Sequence, residues 1–222
     1  MNNDVPAISS SAIVVPPANT VIIRPAGVDT VLPIDTLFDP GRPLEVDCGC
    51  GKGRFLLARA TAYPDVQFLG IDRMLVRIRK LDRKILRAGL GNVKLLRMEA
   101  FYSLQQLLPP HRVRTVYIFF PDPWPKRRHH RRRLFSPEFL DVLWSRLATG
   151  GTVQVATDHL DYFAAIRKCI GADARFREVP HLVRNEAEQT DFERIFRGQG
   201  LSVGECAFEA LAGERPSPSA KG

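Results

Sequence analysis

Fifteen consecutive residues, 119–133, concentrate groups able to do chemistry: Phe119-Phe120-Pro121-Asp122-Pro123-Trp124-Pro125, then Lys126-Arg127-Arg128-His129-His130-Arg131-Arg132-Arg133. One carboxylate sits in a turn stiffened by three prolines, which fix φ and donate no backbone hydrogen bond. An aromatic ring and a dense run of cations follow at once. A carboxylate, a stacking surface and phosphate-binding charge in one place suit the handling of one base of a nucleic acid. A basic run alone is as often a solvated face, so its share of the total charge matters. Residues 126–133 hold six of the chain's 32 Lys and Arg, and without them the net charge of +8 would be +2. Clustered positive charge is the footprint of a polyanionic partner.

A second group of residues points to a small ligand. Asp47-Cys48-Gly49-Cys50-Gly51-Lys52-Gly53 follows an apolar run, and glycines let a backbone turn tightly and approach a ligand closely. Their spacing departs from the G-x-G-x-x-G of dinucleotide sites. Asp72 and Glu99 close two further apolar runs; a carboxylate at the first can bond both hydroxyls of a ribose, and one at the second can meet an adenine amino group. Together these acids favour a nucleoside cofactor. S-adenosylmethionine fits better than a nicotinamide dinucleotide, because an acid in the first loop attracts an ammonium and repels a pyrophosphate. Lys52 argues the other way, as a phosphate partner.

The elements that must carry these residues alternate. Strands are expected over 44–48, 66–71, 93–96, 113–120, 152–157, 176–179 and 202–209. Helices are expected over 54–62, 74–88, 101–108, 137–148, 160–170 and 191–196, with Ser136 as a cap and Pro137 at the first helical position of the fourth. Strands alternating with helices predict an α/β fold: a doubly wound, Rossmann-like sheet of about seven mostly parallel strands. A ligand then lies at the carboxyl ends of the first strands. Residues 1–41 are expected as an extended arm or lead-in, 42–212 as the catalytic domain, and 213–222 as a disordered tail.

No apolar stretch reaches the roughly 20 residues of a membrane span, and the N-terminus lacks the pattern of a secretory signal. Cys48, Cys50, Cys169 and Cys206 follow no disulfide or zinc spacing and are expected as reduced thiols. A cytoplasmic protein without metal is expected; the sequence does not determine its oligomeric state, and a monomer is favoured.

The chain from about Leu44 to Phe196 resembles the bacterial tRNA (guanine-N7-)-methyltransferase family. The run from Phe119 to His129 is similar to that family's signature, and Thr157-Asp158 and Thr190-Asp191-Phe192-Glu193 are similar to two later motifs. The resemblance implies a class I methyltransferase sheet using S-adenosylmethionine, with tRNA as partner and the variable-loop guanosine as target. It implies cofactor contacts at Asp47, Asp72, Glu99 and Asp122, beside the loop glycines Gly49 and Gly51. It also implies tRNA or guanine contacts at Lys126, Asp158, Thr190, Asp191, Phe192 and Glu193, with Arg128, His129, His130, Arg131, Arg132 and Arg133 facing the RNA. Asp122 is the expected catalytic residue, accepting bonds from the guanine Watson–Crick edge, with Glu193 and Asp158 as candidates for the same edge. Where this chain has Asp47 the family usually has Glu, and Glu45 is the alternative acid. Trp124 either stacks on a base or buttresses the turn. A methyltransferase for another substrate and a non-catalytic RNA-binding protein are the competing readings.

Overall fold

In a computed structural model that describes residues 13–14, 19–25, 27 and 30–213, the chain forms one twisted nine-stranded sheet with helices on both faces. In chain order its elements are β1 (Ile13–Val14), β2 (Ile22–Pro25), α1 (Ile34–Leu37), β3 (Leu44–Cys48), α2 (Arg54–Ala62), β4 (Gln67–Ile71) and α3 (Leu75–Arg87). Then follow β5 (Val93–Leu96), α4 (Ala100–Tyr102, continued by a π turn over Ser103–Leu107), β6 (Val113–Phe119) and α5 (Pro137–Arg146). The chain ends in β7 (Leu147–Thr157), α6 (Leu160–Gly171), β8 (Phe176–Val179), α7 (Asp191–Gly198) and β9 (Gly204–Ala210).

The sheet order is β1-β2-β5-β4-β3-β6-β7-β9-β8. Strands β2 to β7 run parallel, while β9 is antiparallel to both β7 and β8. The central strands are buried because helices cover both faces; every residue of β3 and of β4 is buried, the polar Glu45, Asp47 and Gln67 included. Leu56, Ile78, Leu81 and Ile85 from α2 and α3 pack on one face, and Phe139, Leu143, Tyr162 and Ile166 from α5 and α6 on the other. The strand order reverses between β3 and β6, and a doubly wound sheet opens a crevice at such a switch point.

The seven expected strands are all present, and two more come from the segment expected as an arm. Within it, β2 pairs in parallel with β5, and Val21, Ile23, Leu32, Ile34 and Phe38 are buried. Residues 214–222, most of the expected tail, lie outside the described residues. Gly150 and Gly151, ahead of the strand expected over 152–157, lie inside β7, which starts at Leu147. The pairing with β6 jumps there from Val113↔Leu147 to Thr115↔Thr152, so the chain bulges. A Cβ at Gly151 would stand 2.8 Å from the Ala148 carbonyl oxygen, which is why glycine occupies the bulge. Among the described residues, no helix is long and apolar enough to cross a membrane.

Candidate active site

A cavity of about 510 Å³ opens at the carboxyl ends of β3 to β6. Asp47, Gly49, Gly51, Asp72, Glu99, Asp122, Thr190, Asp191 and Phe192 line it, so most of the residues singled out from sequence converge. Lys126, Asp158, Glu193, Arg128, His129, His130, Arg131 and Arg133 do not line it.

The first loop is built by backbone geometry. Gly49 has φ of 84° and Gly53 φ of 77°, in the left-handed region that side chains resist. The amides of Gly49 and Cys50 both donate to the Ile71 carbonyl (2.8 and 3.0 Å), pinning the loop to the end of β4. A Cβ added at Gly49 would meet no protein atom within 4 Å; it would enter the cavity. Asp72 holds the loop from the neighbouring strand end, accepting from the amides of Gly51 (3.1 Å) and Met74 (2.7 Å) and pairing with Arg77 (3.5 Å). Glu99 caps α4, accepting from the amides of Phe101 (3.0 Å) and Tyr102 (2.8 Å).

Asp47 differs from these. It is 5% exposed, and no described residue donates a hydrogen bond to its carboxylate. Burial, with the Asp72 charge adding to it, pushes its pKa up to about 7. Glu45, the alternative acid, is engaged elsewhere: Tyr117 donates to it (2.7 Å), Arg114 pairs with it, and Arg59 stands 3.7 Å away. Residues 45 and 47 share a face of β3, so distance along the strand, not facing, keeps Glu45 out of the cavity.

The Pro-rich turn leaves β6 under strain. Phe120 has φ of 55° and Trp124 φ of 42°, both costly for bulky residues and characteristic of sites where the chain is held for a purpose. Asp122, between them, is exposed to the cavity. Trp124 meets the His129 ring edge-on at 5.8 Å and the Arg132 guanidinium at 4.9 Å, so it buttresses the basic segment. That segment, Arg127–Arg132, is a 3-10 turn with all its arginines at the surface. Arg133 is tied to the turn: its Nε donates to the Pro123 carbonyl and its guanidinium lies over Tyr162.

The far wall is the start of α7. Thr190 caps it, accepting from the Glu193 amide at 3.0 Å, and thereby presents Asp191 and Phe192 to the cavity. Phe192 stacks on Phe196 (6.3 Å, 16°) and both stand near Phe120. Glu193 points inward instead. It is 1% exposed, and its two oxygens accept from Arg184 and Arg197, each at 2.9 Å. Both arginines also bond Glu205 of β9, at 2.5 and 2.9 Å, closing a four-residue ring. A 1% exposed acceptor whose oxygens are taken by the buried Arg184 and the exposed Arg197 has no access to a base edge, contrary to the expectation for Glu193. Asp158 is exposed just beyond β7, outside the cavity lining.

Sequence reasoning gave no individual site role to Phe120, Ile195 or Arg184. Arg184 carries no local signal, since its partners lie 9 and 21 residues away; it also covers the Phe119 ring at 4.3 Å. Phe192 and Ile195, three apart, are the signal for an α7 apolar stripe left exposed at 52% and 53%.

These residues fit S-adenosylmethionine. A buried carboxylate lacking a donor suits an ammonium group, and Asp72 retains acceptor capacity beyond its three donors. The open space before Gly49 leaves backbone within reach of a ligand, and the cavity volume lies in the ordinary range for small-molecule sites.

Comparison with known proteins agrees. A sequence-family model described as "Putative methyltransferase" matches residues 41–204. A tRNA (guanine-N(7)-)-methyltransferase of Halorhodospira halophila is 39% identical over 86% of this chain and 84% of its own length. One from Chlorobium phaeobacteroides is 40% identical over 72% of this chain and 78% of its own. Among solved structures, the 16S rRNA methyltransferase KamB superposes with a TM-score of 0.58 at 17% identity, over 78% of this chain and 88% of that one. A 30S ribosomal A1408 methyltransferase from an uncultured bacterium gives 0.55 at 13%, over 85% and 96%. At such identities the structures establish the shared Rossmann-like fold, whereas the sequence relatives establish more: the chain belongs to the tRNA (guanine-N(7)-)-methyltransferase family.

Proposed function

We propose that this protein transfers the methyl group of S-adenosylmethionine to N7 of a guanosine in tRNA, the variable-loop guanosine being the target. One observation carries the reading: a single cavity joins the donorless Asp47 and the Asp72 strand end to Asp122, whose turn leads into the cationic 127–132 segment. When bound, S-adenosylmethionine supplies an electrophilic methyl on sulfur.

Guanine N7 carries a free lone pair, so no residue must remove a proton to make it nucleophilic. What the protein contributes is alignment and charge. Asp47 pairs with the donor's ammonium, Asp72 with its ribose hydroxyls, and Glu99, at the third strand end, borders the adenine. Asp122 accepts from the guanine N1–H and N2 amino groups and favours the positive charge that N7 methylation leaves on the base. Adenine offers an acceptor where guanine has N1–H, so the same carboxylate discriminates between them. Phe120 and the half-exposed Phe192 supply stacking surface for a base turned out of the RNA fold. Arg127, Arg128 and Arg131 hold flanking phosphates, contacts that position the RNA without reading it. Lys126 and Asp158 are absent from the cavity lining and serve the RNA, not the donor. The reaction belongs in the cytoplasm, where tRNA is modified.

The test is transfer of labelled methyl from S-adenosylmethionine to unmodified tRNA transcripts. Label is expected with the wild-type protein and absent with Asp122→Ala, or when the variable-loop guanosine is replaced by adenosine. Full activity of Asp122→Ala removes that residue from the mechanism; no label with any tRNA overturns the substrate.

A further inference from the structure

The basic turn is not the only concentration of positive charge. Residues 73–97 contain nine Lys and Arg against one acid, Asp82; with 126–133 set aside as well, the remaining chain holds 17 Lys and Arg against 23 Asp and Glu, a net of −6. All the excess positive charge therefore resides in two segments. The larger is centred on α3.

Arg77, Lys80, Lys84 and Arg87 follow a spacing of three, four and three, which places them in one stripe along the helix, and Arg73 lies just ahead of its start. Arg79 and Arg83 widen it, while Ile78, Leu81 and Ile85 fill the buried face. From residue 77 to residue 87 the stripe is about 15 Å long at 1.5 Å per residue. Arg73 and Arg77 line the cavity, so the stripe begins at its rim. Strands β4 and β6 flank β3 on opposite sides, so α3 and the 127–132 turn border the cavity from opposite sides too.

A solvated helix face ordinarily interleaves acids with its lysines and arginines. Here it does not. The single acid, Asp82, is buried and accepts from Thr20 Oγ1 (3.0 Å) and the Val21 amide (2.8 Å). Among the described residues, Arg77 alone of these cations has an acidic partner, Asp72. Like charges at such spacing repel, and cations near the helix start oppose its dipole. Charge of this kind lowers the stability of the free protein and is relieved by a polyanion.

We infer that the exposed face of α3 is a second rail for the phosphate backbone of the tRNA, gripping it on the side of the cavity opposite the 127–132 turn. The inference rests on the tRNA reading above. Its test compares the full-length Lys80→Gln/Arg83→Gln/Arg87→Gln variant with wild type, using an unmodified tRNA transcript over a series of KCl concentrations. Each phosphate contact contributes about 0.7–0.9 to the slope of log affinity against log salt, so the variant's slope should be shallower by about 2. S-adenosylmethionine affinity should be unchanged and Tm close to wild type, because the repulsion removed offsets the loss of Arg87 from the last turn of α3. Lys80→Gln alone should lower the slope by about 0.7–0.9 and keeps the test available if the triple variant folds poorly. A wild-type slope in either folded variant overturns the rail and leaves the proposed function standing; failure of the wild type to bind tRNA overturns both.

Discussion

The Nε of Arg133 donates to the Pro123 carbonyl at 2.8 Å, and its guanidinium lies 4.6 Å from the Tyr162 ring centre. The last arginine of the basic tract thus closes the turn carrying Asp122, whereas Arg128 and Arg131 face solvent. The two kinds of arginine should separate experimentally. Arg133→Ala releases the turn, and turnover should fall on the order of tenfold or more through lost alignment, with the salt slope of tRNA binding retained. Arg131→Ala should leave turnover at saturating tRNA nearly intact while lowering that slope by about 0.7–0.9. If Arg133→Ala changes only the slope, Arg133 is one more phosphate ligand and its bond to Pro123 is incidental.

Asp47 gives the site a pH dependence whose sign is fixed. Its pKa in the folded protein is pushed up to about 7, above its ordinary value of 3.8. Below 7 the carboxyl is protonated and has no charge for an ammonium, so S-adenosylmethionine affinity should fall up to about tenfold per pH unit beneath that point. Titration calorimetry across this range reads the effect directly; an affinity flat from pH 5.5 to 8 (about one unit either side) would remove Asp47 from the cofactor contacts. Stability of the ligand-free protein moves the same way as proton binding. Between the unfolded and folded values the native state holds a proton that the unfolded chain has released, so stability is lost as pH rises through that window, by on the order of 4 kcal/mol from this group. Asp47→Asn should therefore lose cofactor binding yet melt higher than wild type at pH 8, and thermal melts of the two proteins check it.

Much of this site is legible in the sequence because its parts are local. The Gly49 to Gly53 loop, the strand-end acids Asp72 and Glu99, and the Pro-Asp-Pro-Trp turn each announce themselves within a few residues. What escaped depends on partners far along the chain. The strand Ile22–Pro25 is short and gains its meaning from β5, some seventy residues later. Glu193 reads as a polar residue near a motif, and nothing nearby reveals that Arg184 and Glu205 enclose it. The α3 cations were visible as letters, but only the fold shows that they start at the cavity rim and lack acids to pair with.

Gly53 ends the cofactor loop and caps α2 in a left-handed conformation, with φ of 77°. A Cβ there would stand 2.6 Å from Leu81 Cδ2 and 2.9 Å from Leu81 Cγ, inside the packing between α2 and α3. Backbone strain and overpacking each cost on the order of 1–3 kcal/mol. Gly53→Ala should accordingly lower Tm by several degrees and weaken S-adenosylmethionine binding, since α2 and the loop shift together. Gly89→Ala is the control, also left-handed with φ of 64°, but nothing lies within 4 Å of its Cβ. It should carry the strain cost alone and leave cofactor affinity unchanged. Equal effects on affinity from the two variants would show that the Leu81 contact does not transmit to the loop.

Glu193 distinguishes two ways in which the Thr190–Glu193 segment can serve the reaction. Its carboxylate lies between Arg184 and Arg197, and both bond Glu205, which ties α7 to β9. Removing one charge leaves a buried arginine poorly compensated, a loss of about 3–5 kcal/mol when a buried pair is broken. Glu193→Gln should therefore lower Tm markedly and reduce methyl transfer, because Thr190, Asp191 and Phe192 lose the anchor that aims them at the cavity. Discrimination between guanosine and adenosine transcripts should survive in the residual activity. A base-reading role predicts the reverse, with Tm near wild type and the preference for guanosine relaxed. Parallel melts and transfer assays on both transcripts separate the two roles, since an anchor acts on where the site sits and a reader acts on which base it accepts.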